Sequence, residues 1–331
     1  MARRSYPLVM MTSYAGRMLS RLRSSPLLRA ALALVALGFL GYGLSKNWND
    51  SVAALTRLSW WTVAGSFAAV LVGLGFMLVA WRAVLAGFGS RLPMGIAAKV
   101  LFMGQLGKYI PGSVWAFAAM MELARDHGSP PRRTFGATVV GLVDSLGCAL
   151  ALAAVTLPLT SQDVARQTWY LLALIPLIVI GLHPRVLTFG LNLLLRIARK
   201  EPLDQVLSGR AMLVATAWTM AGWLFYGAHI WLLLGDMRPG GASLFAVAAG
   251  AYALAWVTGL LTVIVPAGIG VREGAMVLVL APVLDAPHAL VIAVVSRLAF
   301  TLADVVWAGL GFLLARAHAP SASRTSEYAA Q

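Results

Sequence analysis

Long, uninterrupted apolar runs constrain this chain more than any other feature. Several, including 61–80 and 135–157, reach about 18 residues or more, enough for a helix to cross a bilayer. Lipid offers a bare backbone no hydrogen bonds, so a spanning segment must be a helix or part of a closed barrel. The runs are continuous and do not alternate with polar residues, which excludes a barrel. Composition agrees: 60% of the residues are hydrophobic and 11% charged, where a soluble domain carries about 25% charged residues. The expected fold is therefore all-α, a polytopic transmembrane helical bundle.

The formal net charge is +14. In a soluble protein that would point to nucleic acid; here the basic residues mark cytoplasmic loops, and no nucleic-acid partner is expected. The cations are nearly all arginine, a skew that fits a GC-rich bacterial genome. A single cysteine, Cys148, lies inside an apolar run, which rules out an internal disulfide and a cysteine-based metal site.

Charge placement then orients the runs. Residues 1–26 form a basic segment read as cytoplasmic, followed by a retained signal anchor at 27–44. Six full spans begin at 27, 61, 135, 169, 211 and 289. Residues 97–121 have basic residues on both flanks and so dip in and return on the cytoplasmic side. Residues 243–284 form a second broken hairpin from the outer side if the C-terminus is cytoplasmic; a full crossing by 243–265 would place it outside. Residues 186–197 are expected to lie along the inner surface. The whole divides into the basic segment 1–26, a membrane domain 27–316 and a disordered polar tail 317–331. Six spans and two broken hairpins, one from each side, hint at the inverted repeats of transporters.

Each hairpin is broken by proline and glycine: IPG at 110–112 and VPAG at 265–268. Pro111 cannot continue a helix, and it pushes Ile110 out of helical geometry. Gly112 relaxes the turn, and Ser113 is a good N-cap for a helix starting at Val114. Such a helix end presents unpaired N–H groups and the positive end of a dipole, a ready anion site. Lys108 adds a full charge and Tyr109 a hydroxyl. At the second break Gly270 precedes a helix whose first turn holds Arg272 and Glu273; arginine's planar fork suits phosphate or carboxylate. Lys108, Tyr109, Gly112, Ser113, Gly270, Arg272 and Glu273 are thus the candidate site for an anionic headgroup. The alternative is structural, with Lys108 snorkelling to the interface and Arg272 pairing with Glu273.

Asp144, Arg297 and Asp304 lie deep in apolar runs and need partners. Arg297 and Asp304 share a helix face but sit about 10 Å apart along it, so Asp144 with Arg297, and Asp304 with Lys108 or Arg272, are the expected pairs. A proton relay is the functional alternative for these groups. His229, alone in an apolar span, reads as a helix–helix hydrogen bond. No Walker A, HExxH or GxGxxG motif occurs, so no catalytic set, metal or cofactor is expected and the chain is not read as an enzyme.

The stretches GKYIPGSVW (107–115) and PAGIGVREG (266–274) resemble the flippase-like transmembrane domain of lysylphosphatidylglycerol synthases, a likeness that covers about 27–315. The GVRE portion, Gly270 to Glu273, matches most strongly. The resemblance implies a bundle with broken helices that moves an anionic or phosphate-bearing lipid between leaflets of a bacterial cytoplasmic membrane. No soluble aminoacyl or glycosyl transferase stretch follows Ala315, so lipid synthesis by this polypeptide is not expected. The alternative is a non-transporting subunit whose basic segment 183–210 docks a separate lipid-modifying enzyme or glycosyltransferase.

Overall fold

The structure is a computed structural model that describes residues 38, 41–42, 45–46, 48–109, 114–159, 166, 169–203, 205–238, 240–262 and 268–317. The basic segment 1–26, most of the first apolar run, the polar tail beyond 317, the first break at 110–113 and residues 263–267 of the second lie outside the described residues. The described part contains eleven α-helices: α1 (Trp48–Arg57), α2 (Trp60–Gly87), α3 (Met94–Ala98), α4 (Val114–Arg125), α5 (Pro131–Thr156), α6 (Leu174–Gly181), α7 (Pro184–Ile197), α8 (Gly209–Met237), α9 (Ala242–Leu261), α10 (Val271–Leu280) and α11 (Ala286–Ala317). Five of the helical segments are long and apolar enough to cross a membrane, built on α2, α5, α8, α9 and α11. The protein is thus a polytopic helical bundle.

Local chemistry sets the helix starts. Ser59 and Ser208 cap α2 and α8, their hydroxyls accepting from the N–H groups of Thr62 and Ala211. Pro131 and Pro184 open α5 and α7, where a missing N–H costs nothing. The apolar residues then sort by face. On α11, Leu298, Leu302 and Val305 form an exposed stripe at helical spacing, while Arg297, Thr301 and Asp304 turn inward to a cavity.

Small residues bring the spans together. An ideal Cβ on Gly73 of α2 would lie 2.5 Å from the Tyr226 ring of α8, and one on Gly222 would lie 3.1 Å from the carbonyl oxygen of Gly73. Membrane helices gain little from excluding lipid, so backbone contact of this kind supplies the packing. A second seam runs between α11 and the segment that starts with α3. A Cβ on Gly95 would meet Leu314, and one on Gly311 would meet the backbone of Ala98 and Lys99 at 2.7–2.9 Å. The two segments therefore run antiparallel.

Both breaks fold the chain back on itself. After α3 come a π-helical turn (Lys99–Met103) and a 3-10 turn (Leu106–Tyr109). A Cβ on Gly104 would strike Met120 of α4, and one on Gly107 would lie 2.7 Å from the amide of Ala116. These partners pair in reverse order, so α4 returns along the arm that precedes it. At the second break Gly268 sits against the backbone of Gly259 in α9, and Gly259 against the Cβ of Arg272 in α10. At both places the described arms on either side of the break pack against each other.

Two expectations about spans change in detail. The run 243–265 contains a straight helix of 20 residues, α9, which is itself long enough to cross. The run 169–182 is no straight span in its described part: a 3-10 turn (Trp169–Ala173) leads into α6, and the chain then bends by 69° into α7. The bend falls at His183, held in extended geometry by Pro184. Beyond it α7 is amphipathic, with Thr188, Leu191 and Leu195 buried and Phe189 and Ile197 exposed. That pattern fits the surface helix expected there.

The α3–α11 seam yields a prediction. Gly311→Ala should lower stability by about 1–3 kcal/mol through overpacking, whereas Gly309→Ala, with nothing within 4 Å of its Cβ, should be neutral or slightly stabilising. Thermal unfolding in detergent measures both.

Candidate functional site

The spans enclose one large cavity of about 670 Å³, a volume in the range of small-molecule and headgroup sites. Its walls include Leu74 of α2, Asp144 of α5, Trp223 of α8, Tyr252 of α9 and Thr301 of α11. Each lies near the midpoint of its helix. The cavity therefore reaches the middle of the bundle, and from there it extends past Val84 of α2 and Thr138 of α5 toward Gly259 and Thr262 at the C-terminal end of α9.

The first hairpin contributes Lys108 and Tyr109. The antiparallel seam with α11 carries them to Asp304, one step further along the register set by Gly95 with Leu314 and Lys99 with Gly311. Lys108 Nζ lies 2.6 Å from Asp304 Oδ2, and the Tyr109 hydroxyl donates to the same oxygen at 2.6 Å. Asp304 is buried, while the Lys108 side chain keeps 38% exposure. One carboxylate thus holds a cation carried on a partly exposed side chain. The other carboxylate oxygen of Asp304 is buried and has no hydrogen-bond partner among the described residues.

The second hairpin contributes Arg272. Its guanidinium donates to the Tyr252 hydroxyl and stands 4.7 Å from the Tyr252 ring centroid and 5.3 Å from that of Phe300. These two rings stack with centroids 5.1 Å apart. A cation over aromatic faces is held without being neutralised. Arg272 makes no ion pair among the described residues, so the structural pairing with Glu273 is not formed.

Glu273 is buried and serves the fold. One oxygen accepts from the Gly270 N–H at 2.6 Å, and the other lies 3.8 Å from Arg297 Nε of α11. Gly270 has φ of +81°, a conformation that favours glycine. The carboxylate thus occupies the positive end of α10, and Gly270 and Glu273 satisfy each other. Gly112 and Ser113 lie outside the described residues, as do Pro111 and Pro266.

Of the expected intramembrane pairs, Lys108 with Asp304 forms and Asp144 with Arg297 does not. Asp144 points at α8, where Thr216 and Thr219 each donate a hydroxyl to one of its oxygens at 2.7 Å. Helix α5 packs on α2, α8 and α9, so the carboxylate meets hydroxyls before it can meet α11. The two threonines were legible only as polar residues three apart in an apolar run. His229 makes the helix–helix contact expected of it: its ring nitrogens lie 2.6 Å from Ser66 Oγ and 2.9 Å from Ser296 Oγ, linking α8 to α2 and α11. Tyr252 and Phe300, which cradle Arg272, carry no distinguishing mark in the sequence.

A cavity walled by Lys108, Arg272 and Arg297 together with Asp144 and Asp304 defines a class: a multi-pass membrane domain with a charged internal site. The chain belongs to the family described as the lysylphosphatidylglycerol synthase TM region, whose model matches residues 27–308. A search of curated proteins found no match.

The Lys108–Asp304 pair can be measured. Substituting each residue by Ala, singly and together, should reveal a coupling of about 0.5–3 kcal/mol, with Lys108→Ala the costlier single change because it leaves the buried Asp304 carboxylate without its counter-ion. A double-mutant cycle on detergent unfolding checks this.

Proposed function

We propose that this protein is a lipid translocase that carries an anionic or phosphate-bearing headgroup between leaflets of a bacterial cytoplasmic membrane. The observation that supports it best is Arg272: a guanidinium with no carboxylate partner among the described residues, braced on Tyr252 and Phe300 at the wall of the cavity. A site that only stabilised the fold would neutralise that charge, because an unpaired cation in a low-dielectric interior is costly. An incoming phosphate would complete it. Lys108 adds a second contact from the first hairpin, and Tyr109 steadies it through Asp304. Charge-assisted bonds of this kind contribute about 1.5–3 kcal/mol each.

Membership in the lysylphosphatidylglycerol synthase TM region family supports a role with lipid. In this reading the protein moves lipid without altering it, and its N-terminus is cytoplasmic. The placement of the cavity fits the pattern in which a transported group sits at the midplane beside broken helices while the surrounding bundle rocks.

The test is reconstitution in vesicles containing fluorescently labelled phosphatidylglycerol. The wild-type protein should expose inner-leaflet label to an external quencher. Lys108→Ala and Arg272→Ala should each slow this about 10- to 100-fold while keeping the elution volume of the parent, with Lys108→Ala also losing the stability of its pair with Asp304. Full rates in both variants would remove the cations from the mechanism. An inert wild type that co-purifies with a lipid-modifying enzyme would instead favour a docking subunit.

A further inference from the structure

Asp144 contacts neither of the headgroup-binding cations, and nothing so far gives it a task. It is 1% exposed, lies at the middle of α5 and forms part of the cavity wall. Its two oxygens each accept one hydroxyl, from Thr216 and Thr219. Cys148, one turn along α5, adds a weak thiol contact at 3.9 Å.

No cation answers it among the described residues. Helix α2 brings apolar side chains and Trp81 to this wall, and its Arg82 is turned away to the carbonyl of Leu92. Helix α9 offers the phenol of Tyr252, and α8 that of Tyr226. The charged residues of α4, Glu122 and Arg125, pair with each other at its far end. Helix α6 has no charged residue, and the arginines of α7, Arg185 and Arg196, stand at its two ends. On the α10 and α11 side of the cavity, Arg272 is held by Tyr252, Arg297 by Glu273, and Asp304 by Lys108.

Two hydroxyls solvate a carboxyl group adequately but do little against a full negative charge in a hydrocarbon slab. A carboxylate so placed takes either a counter-ion or a proton. The hydroxyl pair suits both protonation states: a neutral acid donates to one threonine oxygen and accepts from the other, and an ionised one accepts from both.

We propose that Asp144 is a proton-carrying residue that couples headgroup movement to a transmembrane proton gradient. This rests on the translocation reading above. In each cycle one proton adds to a carboxylate oxygen from the water on one side and leaves to the water on the other. No covalent bond to the lipid forms or breaks, and the net result is one proton moved per cycle.

Two measurements on the full chain test it. In vesicles with labelled phosphatidylglycerol, an imposed pH difference should change the wild-type translocation rate several-fold. Asp144→Asn should show no change of rate when the pH difference is imposed, whatever its remaining rate, and Asp144→Glu should restore the response. Separately, infrared spectra of the purified protein should contain the carbonyl stretch of a protonated carboxylic acid that titrates with pH and is missing in Asp144→Asn. This second readout needs no lipid movement, so it survives failure of the translocation reading and decides Asp144 alone. It also stands on the wild type and Asp144→Glu if the asparagine variant does not fold. A wild-type rate indifferent to pH difference, a response kept by Asp144→Asn, a dependence on sodium in place of protons, or a carboxyl that stays ionised throughout would each overturn the proposal.

Discussion

Hydrocarbon gives a polypeptide nothing to hydrogen-bond with, and the architecture here follows from that. An intact helix satisfies its own backbone, but a broken one frees N–H and carbonyl groups that only other protein, or a water-lined cavity, can cover. The two hairpins are accordingly pressed against their own returning arms, Gly107 on Ala116 and Gly268 on Gly259. The charges obey the same constraint. Asp304 is tolerated inside because Lys108 meets it, and Arg272 because two aromatic faces do. A polar interior is thereby assembled within a bundle whose outer surface, as on α11, remains apolar.

Glycine placement decides which side chains reach that interior. Along α11 the close approaches of Leu314 to Gly95 and of Gly311 to Lys99 fix the register of the first hairpin. Continued for two more turns, this register sets Lys108 beside Asp304. A shift of one residue would rotate the lysine by about 120° in its 3-10 turn and separate the pair. The acid–base contact is therefore a product of backbone packing several residues away, and of the small side chains that permit it.

Much of this was readable in the sequence because charges are scarce in it. The apolar runs marked the spans, and proline with glycine marked the breaks at 110–112 and 265–268. Lys108 and Asp304 found each other because a buried acid has few cations to choose from. The same logic failed for Asp144, assigned to Arg297: threonine hydroxyls occupy both of its oxygens, and periodicity does not reveal that its face of α5 meets α8. It failed again for Arg272, whose supports Tyr252 and Phe300 look like any other greasy residues of their runs. The bend at His183 was missed: the run starting at 169 reads as a crossing, although the proline that follows His183 disfavours helix there.

His229 sits at the meeting point of three spans. With a serine on either side of its ring, one from α2 and one from α11, the imidazole of α8 acts as a rivet. Breaking either bond would leave a buried polar atom without its partner, so the contact ties these three helices at one level. In the proposed translocation, any opening of the interior would then fall to helices outside this block, such as α5 and α9.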